Sequence, residues 1–411
     1  MARLRLACSV VRGVNSQVLR TTLLRRCVLV FSTITVAGRR TITSQRVPTV
    51  LVDECCQSCE AETLIALLST VQRLFLIGDP RQLPATVTSP LAQRIGYGRS
   101  MFERLELIGR RPVLLEVQYR MAQCILAWPN TTFYNGRITS APQVLGRSWG
   151  DWVDAAAHAA LTPHERHKFG PFRLFDTSGT GYTEEPSGHS WRNPGEAAYL
   201  LKTLQDFCAR CKPRDEVSVG LVTPYRAQLE LLESRLADLR GPAADWLQQH
   251  TTVATVDGFQ GNERDIIVIS AVRSGGGGIG FSGDERRLNV AVTRARRLSW
   301  IFGDFGTLAR SAAQPNVWRG LLPFARRRGW VVRLGPPHAE RAGQPGMPAT
   351  PAAWWTPLMF QEWQAQRAAP YLEDRHQGDN GLCPFCLLCK RWLDDGHILS
   401  ESHQQARQDP A

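Results

Sequence analysis

Two short apolar runs, Val50 to Val52 and Leu74 to Ile77, each end in acid, and this constrains the chain more than any other feature. Continuous apolar runs suit central strands of a parallel sheet covered on both faces, and the stretch between them has room for a returning helix. The first run leads into Asp53-Glu54 and the second into Gly78-Asp79. Ligands of open α/β sheets bind beyond the carboxyl ends of the strands, so both acidic tips point chemistry at one rim. An Asp there can hold the Mg²⁺ of a bound nucleotide, and the adjacent Glu can activate water for attack on the terminal phosphate. A strand end leading into a helix N-cap would also place Asp here, so the weight rests on the longer pattern rather than on the pair.

That longer pattern is DECCQ from Asp53 and GDPRQLP from Gly78. It resembles motifs II and III of superfamily-one helicases, DExxQ and GDxxQLP, in the branch containing the nonsense-mediated-decay helicase. The resemblance implies that Asp53 binds Mg²⁺ and Glu54 is the catalytic base. It also implies that Gln57, Asp79 and Gln82 sense the γ-phosphate and couple two motor lobes, with Gly78 beside them at the nucleotide.

Further stretches follow in the family's order, from Cys27 to Val332. QYRM, Gln118 to Met121, with FYNGRI after it, resembles motif IV and implies that Arg120 is an arginine finger. VSVGLV followed by TPYRAQ resembles the TPYxxQ motif, which places Thr223, Tyr225 and Arg226 on a strand-to-helix turn facing nucleic acid or nucleotide, with Gln228 orienting it. TVDGFQGNERD resembles motif V. There Thr255 and Asp257 would touch the nucleic-acid backbone, while Gln260, Gly261 and Glu263 lie near the nucleotide. Gly261 permits close backbone approach, and Glu263 can accept from a ribose hydroxyl. RRLNVAVTRARR, Arg286 to Arg297, resembles motif VI, with Arg294 as second arginine finger and Arg287 and Asn289 positioning the helix. Asn193 and Glu196 look like the opening of the helix before motif IVa, an N-cap pattern to which no chemistry is assigned.

Residues Met1 to Arg46 contain no Asp or Glu and many Arg, as a transit peptide would. Yet a strand is expected at Val28 to Phe31, leading into Ser32-Thr33. This resembles the family's strand before motif II, whose Ser-Thr loop contacts nucleic acid, so most of the region reads as domain. No G-x-x-x-x-G-K-[ST] occurs in the chain. Such a loop cradles the phosphates and completes the Mg²⁺ site. The Gly275 to Gly278 run is a flexible loop and no substitute. The expectation is therefore a fragment, a mis-started gene model or a degenerate protein, with little or no ATPase activity of its own.

The chain has 411 residues, 43% apolar and 21% charged, enough for two or three soluble domains. No stretch is as long as an apolar membrane-spanning helix. A net charge of +12 permits a nucleic-acid partner, although Lys occurs only at Lys168, Lys202, Lys212 and Lys390, a bias that genome base composition would also produce. The eleven cysteines are not spaced as a disulfide framework and suit reduced thiols inside a cell. The tail differs: Cys386 and Cys389 with His397 and His403 have the composition of a Zn²⁺ site, with Cys383 in place of Cys389 as the alternative. It resembles matrin- or U1-type fingers, which leans slightly toward RNA.

The expected fold is α/β, with two RecA-like P-loop-NTPase-type lobes, the first truncated, and a small C-terminal zinc-finger module. The expected divisions are 1–99 for lobe one, 100–335 for lobe two, 336–378 as linker and 379–411 as finger. The expected function is an ATP-dependent helicase or translocase on single-stranded RNA or DNA, using ATP, Mg²⁺ and Zn²⁺, cytoplasmic or nuclear. The alternatives are an inactive nucleic-acid-binding remnant and a subunit lending Arg120 and Arg294 to a protein partner's P-loop.

Overall fold

The computed structural model describes residues 16–275, 278–313 and 316–334, and the backbone of three short strands, Leu372–His376, Leu382–Cys386 and Arg391–Trp392. The chain divides into two compact units, Met1–Leu114 and Leu115–Ala411.

In the smaller unit, α1 (Ser16–Arg26) and two short turns, Ile34–Ala37 and Arg40–Thr43, precede β1 (Thr49–Val52). Next come a 3₁₀ turn at Cys55–Gln57, α2 (Glu60–Leu64), β2 (Arg73–Leu76) and α3 (Met101–Leu107). β1 and β2 pair in parallel, Thr49 opposite Arg73 through Val52 opposite Leu76. The period of two then decides what is buried. Val50, Val52, Leu74 and Leu76 pack with Cys55, Cys56, Ile34 and Phe102, while Leu51 and Phe75 on the other face are 63% and 52% exposed. The expectation of cover on both faces therefore fails for this pair, because among the described residues only one layer packs on it. The strand expected at Val28–Phe31 is also absent. These residues join no ladder, and Val28 and Phe31 are 98% and 92% exposed. Good β-formers remain irregular without a partner strand to hydrogen-bond. Capping boxes, Cys59 with Glu62 and Ser100 with Glu103, start α2 and α3, and Arg104 is paired with Glu60 at 2.7 Å.

The principal elements of the larger unit, after a two-residue strand at Val117–Gln118, start with α4 (Gln123–Phe133) and β3 (Phe172–Asp176). It continues with α5 (Pro194–Cys211), β4 (Val219–Thr223), α6 (Arg226–Asp238), α7 (Pro242–His250), β5 (Thr251–Thr255) and β6 (Arg264–Ser270). It ends with α8 (Glu285–Val292), β7 (Ala295–Gly303), α9 (Phe305–Arg310), α10 (Trp318–Arg327) and β8 (Val331–Arg333). The strands form one six-stranded sheet, order β8-β3-β7-β6-β4-β5, with every pairing parallel. Here the apolar runs are buried on both faces, as an all-parallel sheet requires. Trp300, Phe175 and Phe302 fill the core with Leu200, Leu204 and Phe207 of α5. Phe175 and Phe302 stack at 4.4 Å, and Trp300 Nε1 donates to Gly170 O at 2.8 Å. A mixed α/β unit on an all-parallel sheet fits a RecA-like lobe.

The three tail strands form an antiparallel sheet whose first member falls within the stretch read as linker. Cys386 ends the middle strand. The other expected zinc ligands, Cys389, His397 and His403, lie outside the described residues, as does any test of the finger. Among the described residues no group of three or more His, Cys, Asp or Glu is placed to hold a metal ion, and Cys27, Cys55, Cys56, Cys59, Cys124, Cys208 and Cys211 form no disulfide.

Candidate motor sites in the two units

The parallel pairing of β1 with β2 brings both acidic tips of the smaller unit to one rim. Cys55 N donates to Ile77 O and Ile77 N to Val52 O, both at 2.9 Å, so the ladder continues into the motif residues. Asp53 and Glu54 are exposed. Asp53 Oδ1 accepts from Glu54 N at 3.0 Å, and Gln57 Nε2 donates to Glu54 Oε2 at 2.7 Å. Glu54 has φ 51°, a left-handed conformation that a non-glycine residue adopts only under local constraint. On the second tip, Asp79 accepts from Arg81 N at 2.9 Å and from Gln82 Nε2 at 3.0 Å. Gly78 passes so close to Cys56 that an added Cβ would lie 3.0 Å from its backbone N and its Sγ. Thr33 caps the Ile34–Ala37 turn, its Oγ1 accepting from Val36 N at 3.3 Å, with Ser32 exposed beside it.

In the larger unit, the expected site residues divide between opposite rims of one sheet. At the amino-terminal ends of β6 and β7, Arg120 Nε donates to the Glu263 carboxylate, and Arg296 Nη2 donates to the same group at 2.6 Å. Arg120 Nη1 reaches Thr293 O at 3.3 Å. Burial pushes the Glu263 carboxyl up, but its bonds from Arg296 and Arg120 outweigh this and hold it below the ordinary carboxylate range. Arg294 is only 4% exposed and donates from Nε to Val290 O at 3.1 Å. Gly261, φ 75°, and Gln260 lie in the loop entering β6.

At the carboxyl ends stand Thr223, Tyr225, Arg226, Thr255 and Asp257. Thr223 and Tyr225 are buried, Tyr225 donating its hydroxyl to Ile279 O at 3.3 Å, whereas Arg226 is exposed. Thr255 Oγ1 accepts from Gly258 N at 3.1 Å. Arg287 joins Asp257 at 3.3 Å to Asp284 at 2.9 Å. Asn289 Nδ2 donates to the Tyr134 hydroxyl at 3.1 Å, holding α8 against α4. At a rise of about 3.3 Å per residue, β6 separates the two rims by roughly 20 Å.

A family profile described as an AAA domain matches residues 97–305, more than half of the chain, and a second, also described as an AAA domain, matches residues 12–90. The chain belongs to this AAA-domain family, among the Upf-like superfamily-one helicases. It is 31% identical over 330 residues to "Probable helicase MAGATAMA 3" of Arabidopsis thaliana, covering 79% of this chain and 38% of that protein. It is 31% identical over 284 residues to "Helicase SEN1" of Saccharomyces cerevisiae, covering 68% of this chain and 12% of that one. It is 37% identical over 268 residues to "DNA-binding protein SMUBP-2" of Mus musculus, covering 64% of this chain and 25% of that one. The chain thus spans 38% or less of the length of these relatives. The solved PRRSV helicase aligns with 65% of this chain and 37% of its own at 14% identity and a TM-score of 0.31, too loose a likeness to bear on fold or function.

Several polar residues of this Upf-like chain escaped the motif reading. Arg296 shares Glu263 with Arg120, bonding Oε1 while Arg120 bonds Oε2. Glu184 and Arg273, 7% and 5% exposed, form a buried ion pair at 2.9 Å, with the guanidinium 4.4 Å from the Trp191 ring centroid. Glu196 is fully buried, and that burial pushes its pKa up to about 7 against bonds from Ser270 and the Val272 N–H. Arg296 lies inside the RRLNVAVTRARR stretch and Glu196 inside the helix opening, but neither was given a role there; Gln228, which bonds Ser270 beside Glu196, was placed by TPYRAQ. Glu184 sits in a polar connector with no pattern at all.

Proposed function

We propose that the chain carries the motor of an ATP-dependent helicase or translocase of RecA-like lobes, working on single-stranded RNA or DNA. The observation that supports this most is the parallel β1–β2 pair, which sets Asp53-Glu54 and Asp79 on one rim. The donor set suits hydrated Mg²⁺, since Asp53 is exposed and its second carboxylate oxygen has no hydrogen bond among the described residues. When bound, Mg²⁺·ATP supplies an activated phosphoanhydride. Asp53 would hold the ion, Gln82 and Asp79 would read the terminal phosphate, and Glu54 Oε1, free of Gln57, would take the proton of the attacking water. Arg120, released from Glu263, and Arg294, released from Val290 O, would offset charge on the transferred phosphoryl group. Arg226, with Ser32, Thr33, Thr255 and Asp257, would meet the nucleic-acid backbone, while Thr223 and Tyr225, expected there too but buried, would hold the turn that presents Arg226.

A second reading is favoured by one observation, the lack of a G-x-x-x-x-G-K-[ST] loop in these 411 residues. On it, the chain binds nucleic acid without turnover, or lends its arginines to a partner's P-loop. ATPase assays of the purified chain with poly(U) or poly(dT) separate the two. Stimulated hydrolysis that Glu54→Gln abolishes establishes the motor in this polypeptide; oligonucleotide binding without hydrolysis establishes the second reading.

A further inference from the structure

The carboxyl end of β6 runs into a strained turn. Val272 has φ 68°, a left-handed conformation that a β-branched side chain strongly disfavours. Arg273 N donates back to Ala271 O at 2.7 Å, closing a three-residue turn around it. Such a conformation persists only where its surroundings over-determine it.

A network of four buried polar side chains does so. Glu196 Oε1 accepts from Val272 N at 3.0 Å, and Asn193 Nδ2 donates to Val272 O at 3.1 Å, so both polar groups of the strained residue are held. Gln228, two residues into α6, accepts from Asn193 N at 2.8 Å and donates to Ser270 Oγ at 2.9 Å. Ser270 Oγ in turn donates to Glu196 Oε1. Asn193, Glu196, Gln228 and Ser270 are all fully buried.

The turn redirects the chain with a visible result. It carries Arg273 away from the sheet to Glu184 and Trp191 and sets its charge in the neighbourhood of the Tyr225 hydroxyl. An added Cβ on Gly280 would lie 3.0 Å from that hydroxyl and 3.5 Å from Arg273 Nη1, so the three groups meet in one place. Core packing alone does not call for this: a glycine would take the same path unstrained.

We propose that Asn193, Glu196 and Gln228 are positioning residues for strand binding, holding the Val272 turn and through Arg273 and Tyr225 fixing the turn that presents Arg226 to nucleic acid. This rests on the proposed function above and adds residues that act without touching the strand.

The test uses the full chain, with fluorescent oligo-uridylate and oligo-thymidylate as probes. Asn193→Asp keeps an acceptor oxygen to cap Glu196 N and removes the donor to Val272 O. It is expected to weaken binding about tenfold and to speed amide exchange in residues 271–275 while β4 and β6 stay protected. Adding Val272→Gly relieves the strain and is expected to restore most of the affinity. Glu196→Gln is expected to act in the same direction. Unchanged affinity in folded Asn193→Asp and Glu196→Gln overturns the proposal. So does a loss accompanied by faster exchange throughout the sheet that Val272→Gly fails to repair, which marks a merely structural role. If the unaltered chain binds neither probe, the proposed function fails and this inference with it.

Discussion

Arg120 is tied through its Nε to the carboxylate of Glu263, 143 residues further along the chain. Arg296 shares that carboxylate, so the arginine expected to meet a phosphate rests on a partner that a stronger anion can displace.

Because the Arg120 and Glu263 side chains are 36% and 33% exposed, their coupling is expected to be about 0.5–1 kcal/mol in a double-mutant cycle measured by urea unfolding. The Glu263 carboxyl is held low, so the contribution is present above its unfolded pKa of about 4.5 and is lost as pH falls through the folded value. A coupling that persists undiminished in acid would contradict this.

Arg226 is exposed and pairs only loosely along its helix with Glu230 at 2.8 Å. Arg226→Ala is expected to weaken nucleic-acid binding evenly across sequences and lower the salt slope by about one. Stability should stay within about 0.5 kcal/mol. Titration at several salt concentrations, with a parallel melt, decides it.

Glu196 bears on pH. Its folded pKa is raised by burial from 4.5 to about 7, with Asp304 adding repulsion, so the folded state binds more protons than the unfolded state between those values. Stability is expected to fall as pH rises from about 4.5 to 7, by at most ~1.4 kcal/mol per pH unit, and then to level off. Glu196→Gln should flatten that slope in a series of thermal melts.

Phe175 stacks on Phe302 and meets Trp300 edge-on at 5.5 Å, fully buried between α5 and the sheet. Phe175→Ala is expected to destabilise the larger unit by about 3–5 kcal/mol, read as a lowered denaturation midpoint at unchanged slope.

The larger sheet was legible because its apolar runs, Val219 to Val222 and Ile266 to Ile269, are buried on both faces, and the same composition that signals a parallel strand also buries it. The acidic tips were legible for a related reason: a strand end fixes where the next residues point. Val28–Phe31 shows the limit, since local propensity does not supply a neighbour to pair with. The Glu196 network was invisible because its partners, Ser270 and Val272, lie 74 and 76 residues away, and no local period records such a contact. Helix-opening logic explained Asn193 as a cap, which it is, and hid its second bond to Val272 O.

The face of β1 and β2 that no described residue covers has a practical consequence. Leu51 and Phe75 offer a sticky surface on a short parallel ribbon of two strands, the kind of feature that recruits other chains side by side. Colloidal behaviour at high concentration should therefore be governed by the smaller unit, and turbidity should yield to a Phe75→Lys change rather than to any repair of the well-packed six-stranded sheet.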